Sequence, residues 1–444
     1  MHLVAGCDDC EVRDELSWPE LPPPLPWRLY DGDAALQADT GVREGRAEVW
    51  VTVLHKPAIR YDFTSNSRDR PFGSIGSDVV PTLTVDGGVD TELVTCDEGE
   101  RASGWNSDGI RTHGDTQDLR GGDGSQLNLL RFHLVNFGEN AERAPRRIEL
   151  DEWIMRINPT GVTPAPNGFE VTHVLDLVRP DHSTFSVEDT LATQDWLFDA
   201  LTFASGGLVG FALAQGYLKG DPVFLEANCT KVDPWKTRRS WWDQRSLDDS
   251  GLAELCTRWK VAVSDARTGM VLRRAAGSYA AALTPAPLDI AVAVAGIGVE
   301  LMVWELIHQR NQLLSTTEFD RLSFASRLRL ALSTTGIPAD LPGEYTALRE
   351  YVPDAELADG PHAFGSVRNR LVHPPEKRRS WPPGNVMIEA WQLGVEYLAL
   401  LVLAALGYER DFRSQLSWRT HSGAEVPVPW SGTRSRAPDM TPHA

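Results

Sequence analysis

Alternating apolar and polar positions dominate the first 285 residues. EVWVTV (48–53), VVPTLTV (79–85), LNLLRFHLV (127–135), RIELDEWIMRI (147–157) and FEVTHVLDLV (169–178) each read as a strand, as do GLVGFALA (207–214) and PVFLEAN (222–228). Between them, Asp97 to Gln126 is rich in glycine, aspartate and serine and has no period, which predicts a surface insertion. Glu188 to Phe203 carries Leu191, Trp196, Leu197, Ala200 and Leu201 at helical spacing, and a second helix is expected from Leu252 to Val263. After Pro285-Ala286-Pro287 the period changes. Helices are expected at Leu288–Leu314, Phe319–Ser333, Glu344–Tyr351, Ala363–His373 and Val386–Leu406, with no strand between them.

The pattern gives an α+β class: a strand-rich N-terminal region followed by an all-α helical bundle. Residues 1–45, proline-rich and acidic, are expected as an extended arm, and 46–285 as a mixed strand and helix domain with a sensor or regulatory role. Residues 286–418 are expected as the helical domain and 419–444 as a loosely ordered tail.

Composition narrows the function. Hydrophobic residues make up 42% of the 444 and charged residues 24%, a globular mix. The net charge of -19 turns nucleic acid away except at a locally basic cleft, so general DNA coating is excluded. Five cysteines are not a disulfide framework, and Cys7 with Cys10 lacks the second pair a zinc site needs. No metal or cofactor is expected. The N-terminus lacks the pattern of a signal peptide. The most apolar runs, Ile290–Val299 and Tyr397–Gly407, are shorter than the roughly 20 residues that span a bilayer. A soluble, cytoplasmic protein without a membrane partner is expected.

Nucleotide-binding loops, HExxH and GxSxG are all missing. What remains is RNRLVHP, Arg368 to Pro374. On a helix advancing about 100° per residue, Phe364, Val367 and Leu371 share the core side, whereas Ser366, Asn369 and His373 share the opposite one. Arg368 sits on the border, and Pro374-Pro375 ends the helix at His373. Arg370, Lys377, Arg378 and Arg379 make this the most basic short stretch in an acidic chain, and they are the candidate RNA-binding residues.

These residue types suit phosphodiester chemistry. An arginine can grip a phosphate through two hydrogen bonds and neutralise charge developing on it. A histidine can take a proton from a ribose 2′-OH or give one to the leaving 5′-oxygen. The substrate itself supplies the nucleophile, so RNA is cut without a metal and DNA is spared. The bland alternative is that Arg368 and His373 only complement a helix dipole, because basic residues favour helix C-termini and proline follows them. Glu300, on the long helix beginning at Leu288, is expected to be partly buried and to need a cation. Arg368 is one candidate, which would orient the guanidinium, and Arg327 is another, which would make the pair structural.

The Arg368-Asn369-x-x-x-His373 element resembles the signature of HEPN ribonucleases. AGIGVELMVWELI (295–307), DGPHAFGSVRNRLVHP (359–374) and LGYERDF (406–412) resemble the Apea-like branch associated with anti-phage abortive defence, as do HVLDLVRPDHSTFS (173–186) and LFDALTFASGG (197–207). The likeness covers most of 147–418. It implies a helical HEPN domain with Arg368 and His373 as catalytic pair, Asn369 in support, and a homodimer with a composite site. It also implies RNA as substrate and a phage-derived trigger. In some HEPN toxins a modified tyrosine stands two residues after the histidine; here that residue is Pro375. The rival reading is a binding or dimerisation protein that holds RNA or protein without cutting.

Overall fold

The computed structural model of the chain describes residues 124–138, 146–229, 231–236, 240–242, 250–284, 286–352, 359–373, 381–416 and 425–431; between 27 and 122 it describes strands alone. Those strands are β1 (Trp27–Ala38), β2 (Gly41–Thr52), β3 (Ala58–Ser65), β4 (Thr82–Gly87), β5 (Val89–Thr95), β6 (Ala102–Asn106), β7 (Gly109–Thr116) and β8 (Asp118–Gly122). Three of them fall in the segment expected as an insertion, and β1 falls within the expected arm. Cys7 and Cys10 lie outside the described residues.

The centre is an antiparallel sheet of β9 (Leu129–Val135), β10 (Arg146–Glu149), β11 (Ile154–Pro159), β12 (Val171–Val178), β13 (Gly210–Leu218) and β14 (Asp221–Cys229). Its order is β10-β11-β12-β9-β13-β14, and β14 pairs onward with β8. The expected single strand over 147–157 is two. Leu150 and Trp153 exchange backbone bonds of 2.8 and 3.3 Å around the exposed Asp151-Glu152 turn.

Helix α1 (Glu188–Ser205) packs Phe198 against Phe211 of β13 at 6.1 Å and buries Leu197, Ala200 and Leu201. Gly206, at φ 70°, closes the helix with a bond to the Thr202 carbonyl, a left-handed turn that glycine makes without strain. Phe203 then meets Trp241, Trp259 and Tyr279 at 5.3, 5.8 and 5.0 Å. Trp259 lies on α2 (Ser250–Ala262) and Tyr279 on α3 (Ala266–Leu283), so the sheet region and the bundle share one core.

The bundle continues with α4 (Leu288–Trp304), α5 (Thr316–Arg321), α6 (Phe324–Thr335), α7 (Thr346–Tyr351), α8 (Gly360–Val372) and α9 (Gly384–Leu406). The mixed α+β class expected from the pattern is the one observed. Several boundaries differ for local reasons. The helix expected to reach Leu314 passes into a π-helical turn at Glu305–Arg310. The helix expected over 319–333 is two, because Ser315 forms a capping box with Glu318 and Ser323 caps the Ser326 amide. Helix α3 has no counterpart among the expected elements. Its N-cap, Asp265, accepts from the Thr268 amide at 2.9 Å.

The apolar runs Ile290–Val299 and Tyr397–Gly407, expected to be too short to span a bilayer, sit in longer helices. Leu288–Arg310 and Gly384–Leu406 are each 23 residues and sufficiently apolar, though 61% and 72% of their apolar windows are buried inside the molecule.

Candidate phosphodiester site on helix α8

Helix α8 starts at a strong cap. Asp359 accepts from the His362 amide at 3.0 Å and takes Arg329 of α6 through both oxygens, at 2.6 and 2.9 Å. Burial pushes its carboxyl up, but Arg329 and the amide outweigh that and hold it below the ordinary range. Pro361 in the first turn costs no hydrogen bond there. Phe364 and Val367 are fully buried and Leu371 packs on the core, as the pattern requires. Two glycines let the helix sit close. A Cβ on Gly394 of α9 would come within 2.5 Å of the Phe364 ring, and one on Gly296 of α4 within 2.8 Å of Arg368 Cγ.

Arg368 therefore lies along α4 with a side chain only 14% exposed. Its Nη2 donates to Glu300 Oε2 at 2.7 Å and its Nη1 to Asn369 Oδ1 at 3.1 Å. Its guanidinium stands 5.2 Å over the Phe324 ring, and its buried Nε has no hydrogen-bond partner among the described residues. Glu300 bridges, because its other oxygen is 3.6 Å from Arg327 Nη1. Arg327 in turn lies 4.6 Å over Phe319 and donates from Nε to the Leu322 carbonyl at 2.9 Å. Both candidate partners of Glu300 are thus within its reach.

Asn369 is exposed beside the guanidinium, and His373, at the helix end, is exposed too, its amide bonded to the Asn369 carbonyl at 2.9 Å. Arg368 and His373 do not converge within one helix. Five residues at about 100° each leave them about 140° apart around the axis. Arg370 is engaged with the Tyr351 hydroxyl and lies 5.0 Å over that ring. Lys377, Arg378 and Arg379 lie outside the described residues. Three contributors escaped the sequence reading: Gly296, Phe324 and the Arg329–Asp359 pair. The glycine at 296, one of two with Gly298 in the apolar run of α4, was the available signal for close packing. His362 and Ser366 extend the polar side of α8, with Nε2 and Oγ 3.4 Å apart. Among the described residues no group of three or more histidine, cysteine, aspartate or glutamate side chains is placed to hold a metal.

The chain resembles a different family from the one its arginine-histidine spacing suggested. Residues 122–238 match the YopA central domain and residues 265–425 the YopA C-terminal domain. The SPbeta prophage-derived protein YopA of Bacillus subtilis (strain 168) is 25% identical over 264 residues, 59% of this chain. The aligned part spans 58% of that relative's length. No solved structure matches. Neither domain match is an HEPN family, so that identification is corrected: a basic pair near a helix C-terminus followed by proline arises for dipole reasons alone and does not define a family. In both its sheet and its bundle, the chain is similar to the YopA central and C-terminal domains.

Proposed function

We propose that the exposed side of α8 cleaves RNA by attack of a ribose 2′-OH on the adjacent phosphodiester, with Arg368 holding the phosphate, His373 moving the proton and Asn369 orienting either group. The observation that carries this reading is the Glu300 bridge. A carboxylate bonded to Arg368 at 2.7 Å fixes the guanidinium in place beside the exposed Asn369, and a preplaced cation costs little reorganisation when charge develops. Arg368 and His373 diverge on one helix, so the reading calls for two copies, the arginine of one chain meeting the histidine of the other. The prophage origin of the relative supports a setting in the contest between phage and host, with a phage-derived trigger.

The test is RNA cleavage by purified protein in EDTA, wild type against Arg368→Ala and His373→Ala. Cutting by the wild type alone, with 2′,3′-cyclic phosphate ends, is the expected result. Equal cutting by His373→Ala would refute the assignment. A second reading has its own support: both terminal nitrogens of Arg368 already bond within the chain. On that reading the helix holds RNA or protein without cutting, and growth protection against phage would survive both substitutions.

A further inference from the structure

Helix α4 changes pitch where it ends, and the residue that opens the wider turn is a buried acid. Glu305 is 2% exposed at the start of the π-helical turn Glu305–Arg310. Its Oε2 is buried with no hydrogen-bond partner among the described residues, and its Oε1 stands 3.7 Å from Arg267 Nη2, beyond hydrogen-bond reach. Arg267, on α3, donates its other terminal nitrogen to Gln309 Oε1 at 2.6 Å. One guanidinium thus reaches both ends of the same turn and bonds only the neutral one.

A carboxyl group shut away from water without a hydrogen bond is far costlier as an anion than as an acid. The charges that bear on Glu305 are Arg267 from α3, Arg310 from its own turn and Asp265 from the cap of α3. Arg310 also donates to the Ala405 carbonyl of α9. His308, on the same turn, is engaged with the Leu314 carbonyl at 2.9 Å. The two arginines of α6, which packs against the turn, are held by other acids, Arg327 by Glu300 and Arg329 by Asp359. Burial outweighs both nearby guanidiniums and pushes the Glu305 carboxyl above its ordinary range. When the proton does leave for solvent, it uncovers an anion beside a cation free to swing, because the Arg267 side chain is 45% exposed.

We infer that the Glu305–Arg310 turn is a proton-operated catch: Arg267 fastens it at Gln309 while Glu305 keeps its proton, and lets Gln309 go to pair with Glu305 when the proton leaves. A π-helical turn suits the part, being rare and frequent at functional positions of long helices. The turn closes through the Asn311 amide on the Leu306 carbonyl and the Leu313 amide on the Ile307 carbonyl, so these bonds lose their fastening when Gln309 is released. Glu300 lies five residues back on the same helix, about 7.5 Å along its axis, which sets the catch close to the carboxylate that holds Arg368. The catch rests on Glu305, Arg267 and Gln309 and is independent of whether RNA is cut.

Hydrogen exchange of the full chain tests the catch, read by mass spectrometry between about pH 5 and 8 and corrected for the intrinsic pH dependence of amide exchange. In wild type, residues 309–313 should lose about tenfold in protection as the pH rises, the scale of one charge-assisted hydrogen bond. Glu305→Gln cannot ionise and should keep the low-pH protection throughout. Arg267→Gln cannot fasten the turn and should show the high-pH exchange throughout. Protection in wild type that does not change with pH would overturn the inference. So would a transition that either variant retains, and Arg267→Gln decides the matter by itself if Glu305→Gln fails to fold. Because the readout is amide exchange, a protein that shows this pattern and cuts no RNA would sink only the cleavage reading.

Discussion

Two arginine–carboxylate pairs in this protein have the same chemistry and opposite settings. In the sheet, Arg131 of β9 meets Asp176 of β12 through Nε and Nη2 at 2.6 and 2.9 Å, with side chains 2% and 0% exposed. In the bundle, Arg368 meets Glu300 at 2.7 Å, with side chains 14% and 38% exposed. The sheet pair joins directly opposed residues of neighbouring strands, and Asn158 of β11 donates to the same carboxylate at 3.3 Å. Burial pushes the Asp176 carboxyl up despite its guanidinium partner. Such a pair fixes register, because a slip of one residue would separate the charges in an apolar interior. The bundle pair holds one guanidinium steady at the edge of solvent. Burial, more than pairing, separates a structural ion pair from one available to a ligand.

That contrast can be broken at its strongest point first. Asp176→Ala removes the carboxylate facing a buried guanidinium and should cost about 3–5 kcal/mol of stability, read by urea unfolding. A loss below about 1 kcal/mol would remove the distinction between the two pairs. Arg368→Ala should do the reverse. Cleavage should fall by about 10²–10³, while the unfolding midpoint stays close to wild type. Destabilisation on the scale of Asp176→Ala would make the bundle pair structural as well. Glu300→Gln should be milder, about 10–100-fold in cleavage for the roughly 1.5–3 kcal/mol of one charge-assisted hydrogen bond. Retention of full activity would show that Arg368 needs no orienting.

The sheet interior should also show in the pH dependence of stability. His133 is buried beside Arg131 on β9, its Nδ1–H donating to the Leu213 carbonyl at 2.8 Å. Burial lowers its pKa from 6.5 to about 3. Between those values the unfolded imidazole takes up a proton that the folded one refuses, so this residue's contribution to stability falls as pH drops from 6.5 toward 3. The raised Asp176 contributes with the opposite sign, so the clean comparison is with His133→Gln. That variant should flatten the slope across this window, and an unchanged slope would place the proton uptake elsewhere.

What the sequence disclosed about these regions follows from how local each signal is. The faces of α8 were legible because Phe364, Val367 and Leu371 against Ser366, Asn369 and His373 is a one-helix pattern. So was the need of Glu300 for a cation, though choosing between Arg327 and Arg368 was beyond it: the two lie 27 and 68 residues away and both are within reach of one carboxylate. The Arg131–Asp176 pair depends on strand register across 45 residues, which no local period encodes. Helix α3 was missed because its alanines and glycines give weak contrast, although Asp265 with Thr268 was a readable cap. The break between α5 and α6 was written in the Ser323–Ser326 cap but masked by continuous helical composition. Family membership was misread because a short spacing of chemical groups was given more weight than it could bear.

The most direct test of the central claim mixes two crippled chains. Arg368→Ala and His373→Ala should each cut RNA at least about 100-fold more slowly than wild type. After unfolding and refolding together at equal amounts, half of the dimers should be mixed, and one site in each mixed dimer should be whole. Activity should then return to roughly a quarter of wild type. If the mixture cuts no faster than the single variants while wild type cuts, or either variant alone cuts as fast as wild type, Arg368 and His373 do not form a shared cleavage site.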